Sequence, residues 1–314
     1  MNGPDSPSSL PDWLLDVYVG VLDLDRESLS LDVDIGPISV DVAGRSVFFF
    51  WVTVILLAVS GVAVAISRKR ELVQKWTTWV LIVPVVGLPI WFGRGPTAVL
   101  AMILALIAVR EYAKLVGLRP WDTAILYALA VAYPLAAWQS PQLLALAPLV
   151  VLLCALPAIL SGDTEDGVSR SAFSGFGSVW ICWSLAHLVI LWEDAFVVVF
   201  AAAATDVAAW CGGKGFKGFG WARRPLSPLS PNKTVGGLAG AVIGAFLVLT
   251  LLGTISVGLL IAVAFGGVLG DLLESMIKRR AQVKDAGEWL PGFGGLLDRI
   301  DSLLLVLPLA AVLM

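Results

Sequence analysis

The sequence has few of the side chains on which catalysis usually depends. It contains one histidine and three cysteines in 314 residues. Cys154, Cys182 and Cys211 lie in or beside apolar segments and form no CxxC motif or Cys/His pairing, which argues against a zinc site and favours small core residues. His187 also lies in an apolar run, so we expect it to make an interhelical hydrogen bond, although an ionisable group in a membrane helix is also a functional candidate.

Charge is scarce as well, and its distribution is uneven. Charged residues make up 14% of the chain and hydrophobic residues 58%, which excludes an ordinary soluble domain and indicates a polytopic membrane protein. Residues 1–46 contain nine acidic and two basic side chains, a net charge of −7, which leaves +4 for the rest. No basic start precedes an apolar core, so we expect no signal peptide, and no charge pattern suggests nucleic-acid binding. We expect 1–46 to be an appendage in which LSLDVDIGPISVDV forms a hairpin or stays disordered.

Ten apolar segments predict an all-α polytopic fold with about ten transmembrane helices, because most approach the ~20 residues that cross a bilayer. They cover residues 47–67, 76–92, 97–117, 122–138, 142–160, 172–192, 195–211, 234–252, 255–274 and 302–314. We divide the chain into the appendage, N-terminal helices at 47–195 and a catalytic region at 196–314. Basic residues follow every odd-numbered segment, so the positive-inside rule places those loops in the cytoplasm and the acidic N-terminus outside. The expected location is therefore the cell membrane.

One connection, residues 270–302, carries dense charge: GDLLESMIKRRAQVKDAGEWLPGFGGLLDRIDS. Asp271 ends an apolar segment and Asp298 begins the next, so a folded-back connection would bring them together as hard ligands for Mg²⁺. The alternative is that Asp298 forms a salt bridge with a nearby Arg or Lys. Basic and glycine residues in this stretch suit phosphate binding, although a basic cluster beside a membrane often only fixes topology.

A second stretch, TDVAAWCGGKGFKGFGWARRPLSPLSPNKTVGG, lies on the same face of the predicted topology. Asp206 is a carboxylate inside an apolar run, which indicates an intramembrane polar site. Ser230, Lys233 and Thr234 form a compact set of phosphate donors, and a helix is expected to begin near Thr234. The simpler alternative is an ordinary N-cap and loop.

These two stretches resemble the signatures of the phosphatidate cytidylyltransferases, also called CDP-diacylglycerol synthases. The first resembles S-x-x-K-R, four residues, K-D, then P-x-H-G-G-x-x-D-R-x-D; the second resembles D-x-x-A-Y-x-x-G-[KR] followed by S-P-x-K-T-x-E-G. The resemblance implies that catalytic residues are Asp271, Lys278, Arg279, Lys284, Asp285, Asp298, Arg299 and Asp301. It implies that substrate-binding residues are Asp206, Lys214, Ser230, Lys233, Thr234, Ser275, Gly294 and Gly295.

The implied reaction is transfer of CMP from CTP to a lipid phosphate, most simply phosphatidate, giving CDP-diacylglycerol and pyrophosphate. The implied metal is Mg²⁺ on Asp271 and Asp298, alone or with a second cation. The expected partners are CTP, the lipid phosphate and membrane lipids, and we also consider a homodimer.

The sequence departs from the signatures at three positions: Phe293 replaces His, Gly236 replaces Glu and Trp210 replaces Tyr. The loss of two polar groups, at 293 and 236, keeps three alternatives open. The chain could be a family relative that has lost catalysis and binds lipid or acts as a scaffold, or an enzyme with another lipid phosphate acceptor. A transporter is the third alternative, but we find no inverted repeats to support it.

Overall fold

A computed structural model describes residues 30–35, 38–43, 54–55, 57–62, 64–66, 70–287 and 294–314. In this part of the chain the architecture is helical apart from one antiparallel hairpin. Its strands are β1 (Ser30–Ile35) and β2 (Ile38–Ala43), which pair from Ser30 opposite Ala43 to Ile35 opposite Ile38. The hairpin alternative for the acidic segment is therefore confirmed.

Between residues 70 and 190, all of which the structure describes, the chain forms seven α-helices. They are α1 (Arg70–Trp91), α2 (Arg94–Val116), α3 (Pro120–Gln139), α4 (Ala147–Leu153), α5 (Leu156–Leu160), α6 (Gly167–Gly177) and α7 (Ser184–Ile190). A 3₁₀ turn, Pro141–Leu146, precedes α4, and a π-helical turn, Ser178–Trp183, joins α6 to α7. The first predicted apolar segment, 47–67, lies partly outside the described residues, and Leu57–Ile66 is its helical part.

The second half of the helical region contains the two motif stretches, and its described residues, 195–287 and 294–314, form six α-helices. They are α8 (Ala195–Gly215), α9 (Val235–Leu251), α10 (Val257–Ile261), α11 (Gly267–Arg280), α12 (Leu297–Ile300) and α13 (Leu303–Leu313). A π-helical turn, Ala262–Gly266, makes α10 and α11 continuous, and two 3₁₀ turns, Phe216–Gly218 and Trp221–Arg223, follow α8.

Four continuous helices in the described part of the chain are long and apolar enough to cross a membrane. They are Pro141–Leu160, Gly167–Ile190, Ala195–Gly218 and Val257–Arg280. The other predicted apolar segments after residue 70 coincide with α1, α2, α3, α9 and α13. This architecture agrees with the all-α membrane protein that the hydropathy pattern predicts.

Glycine allows the two motif-bearing helices to pack closely. A Cβ at Gly212 of α8 would lie 2.6 Å from the Cα of Gly240 of α9, and a Cβ at Gly240 would lie 2.5 Å from the carbonyl oxygen of Ala208. Such close contact between small residues is how membrane helices gain van der Waals packing energy. The α8–α9 pair therefore holds the beginning and end of the second motif stretch side by side.

Candidate active site

Three carboxylates come together where α11 passes the end of α12. Ligand oxygens of Asp271, Glu274 and Asp301 all lie within 4.8 Å of one another. Asp271 and Glu274 are three residues apart on α11 and so share one face of that helix. Gly270 allows the third carboxylate to approach, because a Cβ there would collide with the carbonyl oxygen of Asp301. We call Asp271, Glu274 and Asp301 the acidic cluster.

The acidic cluster fits a divalent cation. Glu274 and Asp301 are buried, and crowded carboxylates repel one another unless protons or cations compensate their charge. The Oε1 atom of Glu274 is buried and has no hydrogen-bond partner among the described residues. Hard carboxylate oxygens of this kind are the ligands that Mg²⁺ prefers.

Asp298 lies beside the acidic cluster but is held by other partners. Its Oδ1 accepts a 2.7 Å hydrogen bond from Nζ of Lys278, which also forms an ion pair with Glu274. Its Oδ2 accepts 2.8 Å hydrogen bonds from the amides of Ala286 and Gly295. Burial would raise the pKa of Asp298, but Lys278 and these two amides together lower it below its usual value.

This geometry differs from the sequence-based metal pair, Asp271 with Asp298, which stays a prediction. The carboxylates beside Asp271 are Glu274 and Asp301, whereas Asp298 forms the salt bridge that we had considered as the alternative. Both oxygens of Asp298 accept hydrogen bonds, so this side chain joins Lys278 to the backbone at Ala286 and Gly295, on either side of residues 288–293. Spacing along the sequence could not distinguish these arrangements, because Asp298 and Asp301 are only three residues apart, at the beginning and the end of one short helical turn.

The second motif reaches the acidic cluster through Lys233, whose Nζ forms an ion pair with Oδ2 of Asp271. The chain folds back on itself around this lysine: the amide of Leu226 donates to the Lys233 carbonyl at 2.8 Å. Thr234 follows as the N-cap of α9, where its Oγ1 accepts from the amide of Gly237 at 3.3 Å. The predicted helix start at Thr234 is therefore confirmed.

Two further predicted residues lie around the same loop. Arg279 of α11 is exposed and donates from Nε to the Leu229 carbonyl at 3.4 Å. Ser230 provides the carbonyl that accepts from the Lys233 amide at 3.0 Å, which stabilises the turn before the lysine. The first and second motifs therefore meet along the edge of α11.

Asp206 of α8 is connected to the acidic cluster by Ser302. The Ser302 hydroxyl donates to Oδ2 of Asp206 at 3.2 Å, and its amide donates to Oδ1 of Asp301 at 2.8 Å. Lys214, by contrast, lies over the ring of Trp210 with its Nζ 3.6 Å from the ring centroid. The structure therefore brings Asp206 to the site and directs Lys214 to an aromatic ring.

The remaining predicted residues lie in α11, in α12 and in the chain between these two helices. Ser275 follows Glu274 on α11 and is half-buried, and Arg299 is exposed on α12. Lys284 and Asp285 line a cavity of about 540 Å³ with Lys114 of α2. Gly294 has a left-handed φ of 80°, and a Cβ there would lie 2.8 Å from Oδ2 of Asp298, so this position requires glycine.

The three departures from the signature have different structural settings. Phe293 lies outside the described residues. Trp210 is exposed and contacts Lys214, as above. At Gly236 a Cβ would lie 2.9 Å from the Cβ of Ala222 and 3.3 Å from that of Phe216, so the place of the signature glutamate is filled by the turn after α8.

Two buried ionisable side chains, His187 and Glu111, lie outside the predicted set of site residues. His187 is buried, and its Nδ1 donates to the Trp183 carbonyl at 2.8 Å within the same helix, whereas we had expected a bond between helices. Glu111 of α2 is also buried, and its carboxylate binds the amides of Leu296 and Leu297. A lone carboxylate near the end of an apolar segment was the signal that could have revealed Glu111.

Comparison with known proteins places the chain in a family. A family model described as "Cytidylyltransferase family" matches residues 73–314, which include both motif stretches. The chain belongs to this cytidylyltransferase family.

Several relatives of this chain are named phosphatidate cytidylyltransferase. The Helicobacter pylori enzyme is 38% identical over 143 residues, covering 42% of this chain and 46% of that protein, so the match spans less than half of that relative. The Staphylococcus haemolyticus enzyme is 31% identical over 262 residues, covering 76% of this chain and 97% of that protein. An uncharacterized Escherichia coli protein, YnbB, is 31% identical over 265 residues, covering 77% and 86%.

Proposed function

We propose that the protein is a membrane-bound phosphatidate cytidylyltransferase, which transfers CMP from CTP to phosphatidate and forms CDP-diacylglycerol and pyrophosphate. The observation that carries this proposal is the acidic cluster with Lys233 and Lys278 at its edge, because nucleotidyl transfer needs both a cation site and phosphate ligands. The relatives named phosphatidate cytidylyltransferase support the same reaction.

The chemistry requires no general base on the protein. An oxygen of the lipid phosphate attacks the α-phosphorus of CTP, the bond to the oxygen bridging the α- and β-phosphorus breaks, and pyrophosphate leaves. A phosphate monoester is already largely a dianion at pH 7, because its second pKa is about 6. This agrees with a chain whose one histidine, His187, is buried and bonded to its own helix.

The side chains divide into three groups by their contacts. Asp271, Glu274 and Asp301 would hold Mg²⁺, which when bound offsets the negative charge of the polyphosphate. Lys233, Arg279 and Arg299, with the hydroxyls of Ser230 and Thr234, are the donors that we assign to substrate phosphates. Lys278 and Asp298 orient the acidic cluster and the loop ends.

Two surfaces suit the two substrates. The cavity of about 540 Å³ has the volume of a small-molecule site, and Lys114 and Lys284 give it basic groups suited to a nucleotide. Val207 of α8, next to Asp206 in the sequence, and Leu269 of α11, two residues before Asp271, expose apolar side chains. We assign the cavity to CTP and this apolar surface to the acyl chains of the lipid.

We retain the ten-span membrane arrangement as part of this proposal. Helices α1, α2 and α3 have 22, 23 and 20 residues, and at ~1.5 Å per residue they are ~30 Å or longer. The acidic segment 1–46 lies outside, helices at 47–195 form the first membrane region, and 196–314 form the catalytic region with its loops in the cytoplasm. The odd-numbered segments then end on the side where nucleotides are available.

The test is turnover of α-labelled CTP by purified protein in nanodiscs, with phosphatidate and other lipid phosphates offered separately with Mg²⁺. With phosphatidate as acceptor, we expect the label to appear in the lipid and unlabelled pyrophosphate to form in an equal amount. Product with a different lipid phosphate would correct the acceptor. Binding of lipid without any CTP-dependent product would contradict the proposal and favour the non-catalytic relative.

A further inference from the structure

One carboxylate from the first half of the chain reaches the loop that carries the first motif. Glu111 is on α2, and its side chain is buried. Its Oε1 accepts a 2.9 Å hydrogen bond from the amide of Leu296, and its Oε2 accepts a 2.7 Å hydrogen bond from the amide of Leu297. Both oxygens therefore bind the beginning of α12.

The same carboxylate also packs against backbone on both sides of segment 288–293. A Cβ at Gly287 would lie 2.6 Å from Oε1 of Glu111, and a Cβ at Gly295 would lie 2.7 Å from both carboxylate oxygens. The glycines also approach each other, since the Gly295 Cβ would lie 2.7 Å from the Gly287 amide nitrogen. Contact this close is available only to glycine, so Glu111 and the two glycines form one packed unit.

This unit determines where α12 lies. A helix of four residues cannot be stable by itself, because helix nucleation is unfavourable, so tertiary contacts must hold it. Glu111 binds the first two amides of this turn, while Asp298 binds the amide of Gly295 just before it. Asp301, which follows α12 directly, then meets Asp271 and Glu274.

We propose that Glu111 is a positioning residue for the reaction. It holds α12 so that Asp301 completes the acidic cluster and Asp298 reaches Lys278, and it does so without contact with the reacting atoms. This inference rests on the proposed function for its kinetic consequences. Its structural consequence, protection of the α12 amides, is independent of any activity.

The experiment compares Glu111→Gln and Glu111→Asp with Tyr112→Phe as a matched control. Tyr112 is the next residue of α2, is buried, and donates a 2.8 Å hydrogen bond to the Phe173 carbonyl, so its variant also loses one buried polar contact. Hydrogen–deuterium exchange of a peptide covering residues 294–301 is measured first. In both Glu111 variants we expect this peptide to exchange about 10- to 100-fold faster, because a charge-assisted hydrogen bond to its amides is lost. We expect no such change in Tyr112→Phe.

Turnover then separates positioning from stability. In folded Glu111→Gln we expect kcat to fall and the Mg²⁺ concentration for half-maximal rate to rise, whereas Tyr112→Phe changes neither. If Glu111→Gln does not fold, the Glu111→Asp variant and hydrogen–deuterium exchange of residues 294–301 in the wild-type protein test the inference instead. Unprotected Leu296 and Leu297 amides in the wild type, or Glu111 variants equal to Tyr112→Phe, would overturn the inference. If the Glu111 variants exchanged faster but the wild type showed no CTP turnover, the proposed function would be rejected. The role of Glu111 in holding α12 would still stand.

Discussion

Lys233 and Asp271 form an ion pair that joins the two motif stretches. The side chains are 21% and 40% exposed, so this pair is partly solvated, and such pairs contribute about 1 kcal/mol or less. Lys278, by contrast, is mostly buried between Glu274 and Asp298. In the proposed reaction, the more exposed pair exchanges Lys233 from Asp271 to a substrate phosphate, while the more buried Lys278 keeps its contacts with Glu274 and Asp298.

We predict that Asp271→Asn and Asp301→Asn each abolish most turnover and raise the Mg²⁺ requirement about tenfold or more. Each change removes one negative charge from the acidic cluster with little change of shape. The double variant should fall little further, because residues that share one ion are not additive. Mg²⁺ titrations of the rate test this, with exposed Asp166→Asn as the control. Normal Mg²⁺-dependent activity in Asp271→Asn or Asp301→Asn would contradict the assignment.

For Asp298→Asn we predict lower stability with little change in the Mg²⁺ requirement. The change leaves Lys278 and two amides with a poorer partner, at a cost of about 1–3 kcal/mol. Because the folded-state pKa of Asp298 is lowered, its stabilisation is complete above the unfolded pKa of about 4 and is lost as pH falls through the folded pKa. The stability difference from wild type should therefore persist from pH 7 to about 4 and shrink below it.

Thermal unfolding in detergent at several pH values, with Mg²⁺ titrations of the rate, provides the measurement. Asp163→Asn is the control, because Asp163 also pairs with a largely buried cation, Arg170, away from the site. If Asp298→Asn raised the Mg²⁺ requirement as far as Asp271→Asn does, Asp298 would be a metal ligand, as the sequence alone had predicted.

Lys114→Gln is predicted to raise the KM for CTP about 10- to 100-fold while leaving kcat nearly unchanged, since one charge-assisted contact is worth ~1.5–3 kcal/mol. Lys114 lines the cavity with Lys284, so Lys284→Gln should behave in the same way. Lys217→Gln is the control, because Lys217 is exposed on the turn after α8 and does not line this cavity. An unchanged KM in both cavity variants would show that CTP binds elsewhere.

Gly236→Glu is predicted to destabilise the protein and to yield no gain in activity. The new Cβ would lie 2.9 Å from that of Ala222 and 3.1 Å from the Ala222 carbonyl oxygen, so the turn after α8 must move. Overpacking of this kind costs about 1–3 kcal/mol. The control is Gly218→Glu, whose Cβ would have no atom within 4 Å. Melting temperature and CTP turnover give the answer, and a stable, faster Gly236→Glu variant would refute the prediction.

Cysteine labelling tests the membrane arrangement. In a Cys211→Ser background, which removes the one exposed native thiol, cysteines placed at Ser9 and Lys217 should react from opposite sides of the membrane. The expectation follows from the one-sided distribution of Lys and Arg between the apolar segments. Reaction of both positions from the same side would reject the ten-span arrangement.

The sequence by itself determined the helices and the chemistry that they carry. Long apolar segments left little alternative to membrane helices, and Thr234 marked the start of α9 because its hydroxyl can satisfy an amide at a helix terminus. Likewise, carboxylates at 271 and 298 among lysines and arginines indicated a cation and phosphates before any contact was visible. These signals are local, so residue type and spacing were enough to read them.

Only the tertiary structure decided which of these groups meet. Asp298 and Asp301 are one short helical turn apart. The orientation of that turn places Asp301 beside Asp271 and lets Asp298 form an ion pair with Lys278. That orientation depends on Glu111, which lies 185 residues before Leu296 in the sequence. It also depends on Gly287 and Gly295, which leave room for the Glu111 carboxylate. Contacts between residues so distant in the chain depend on how whole helices pack, and no spacing within a motif contains that information.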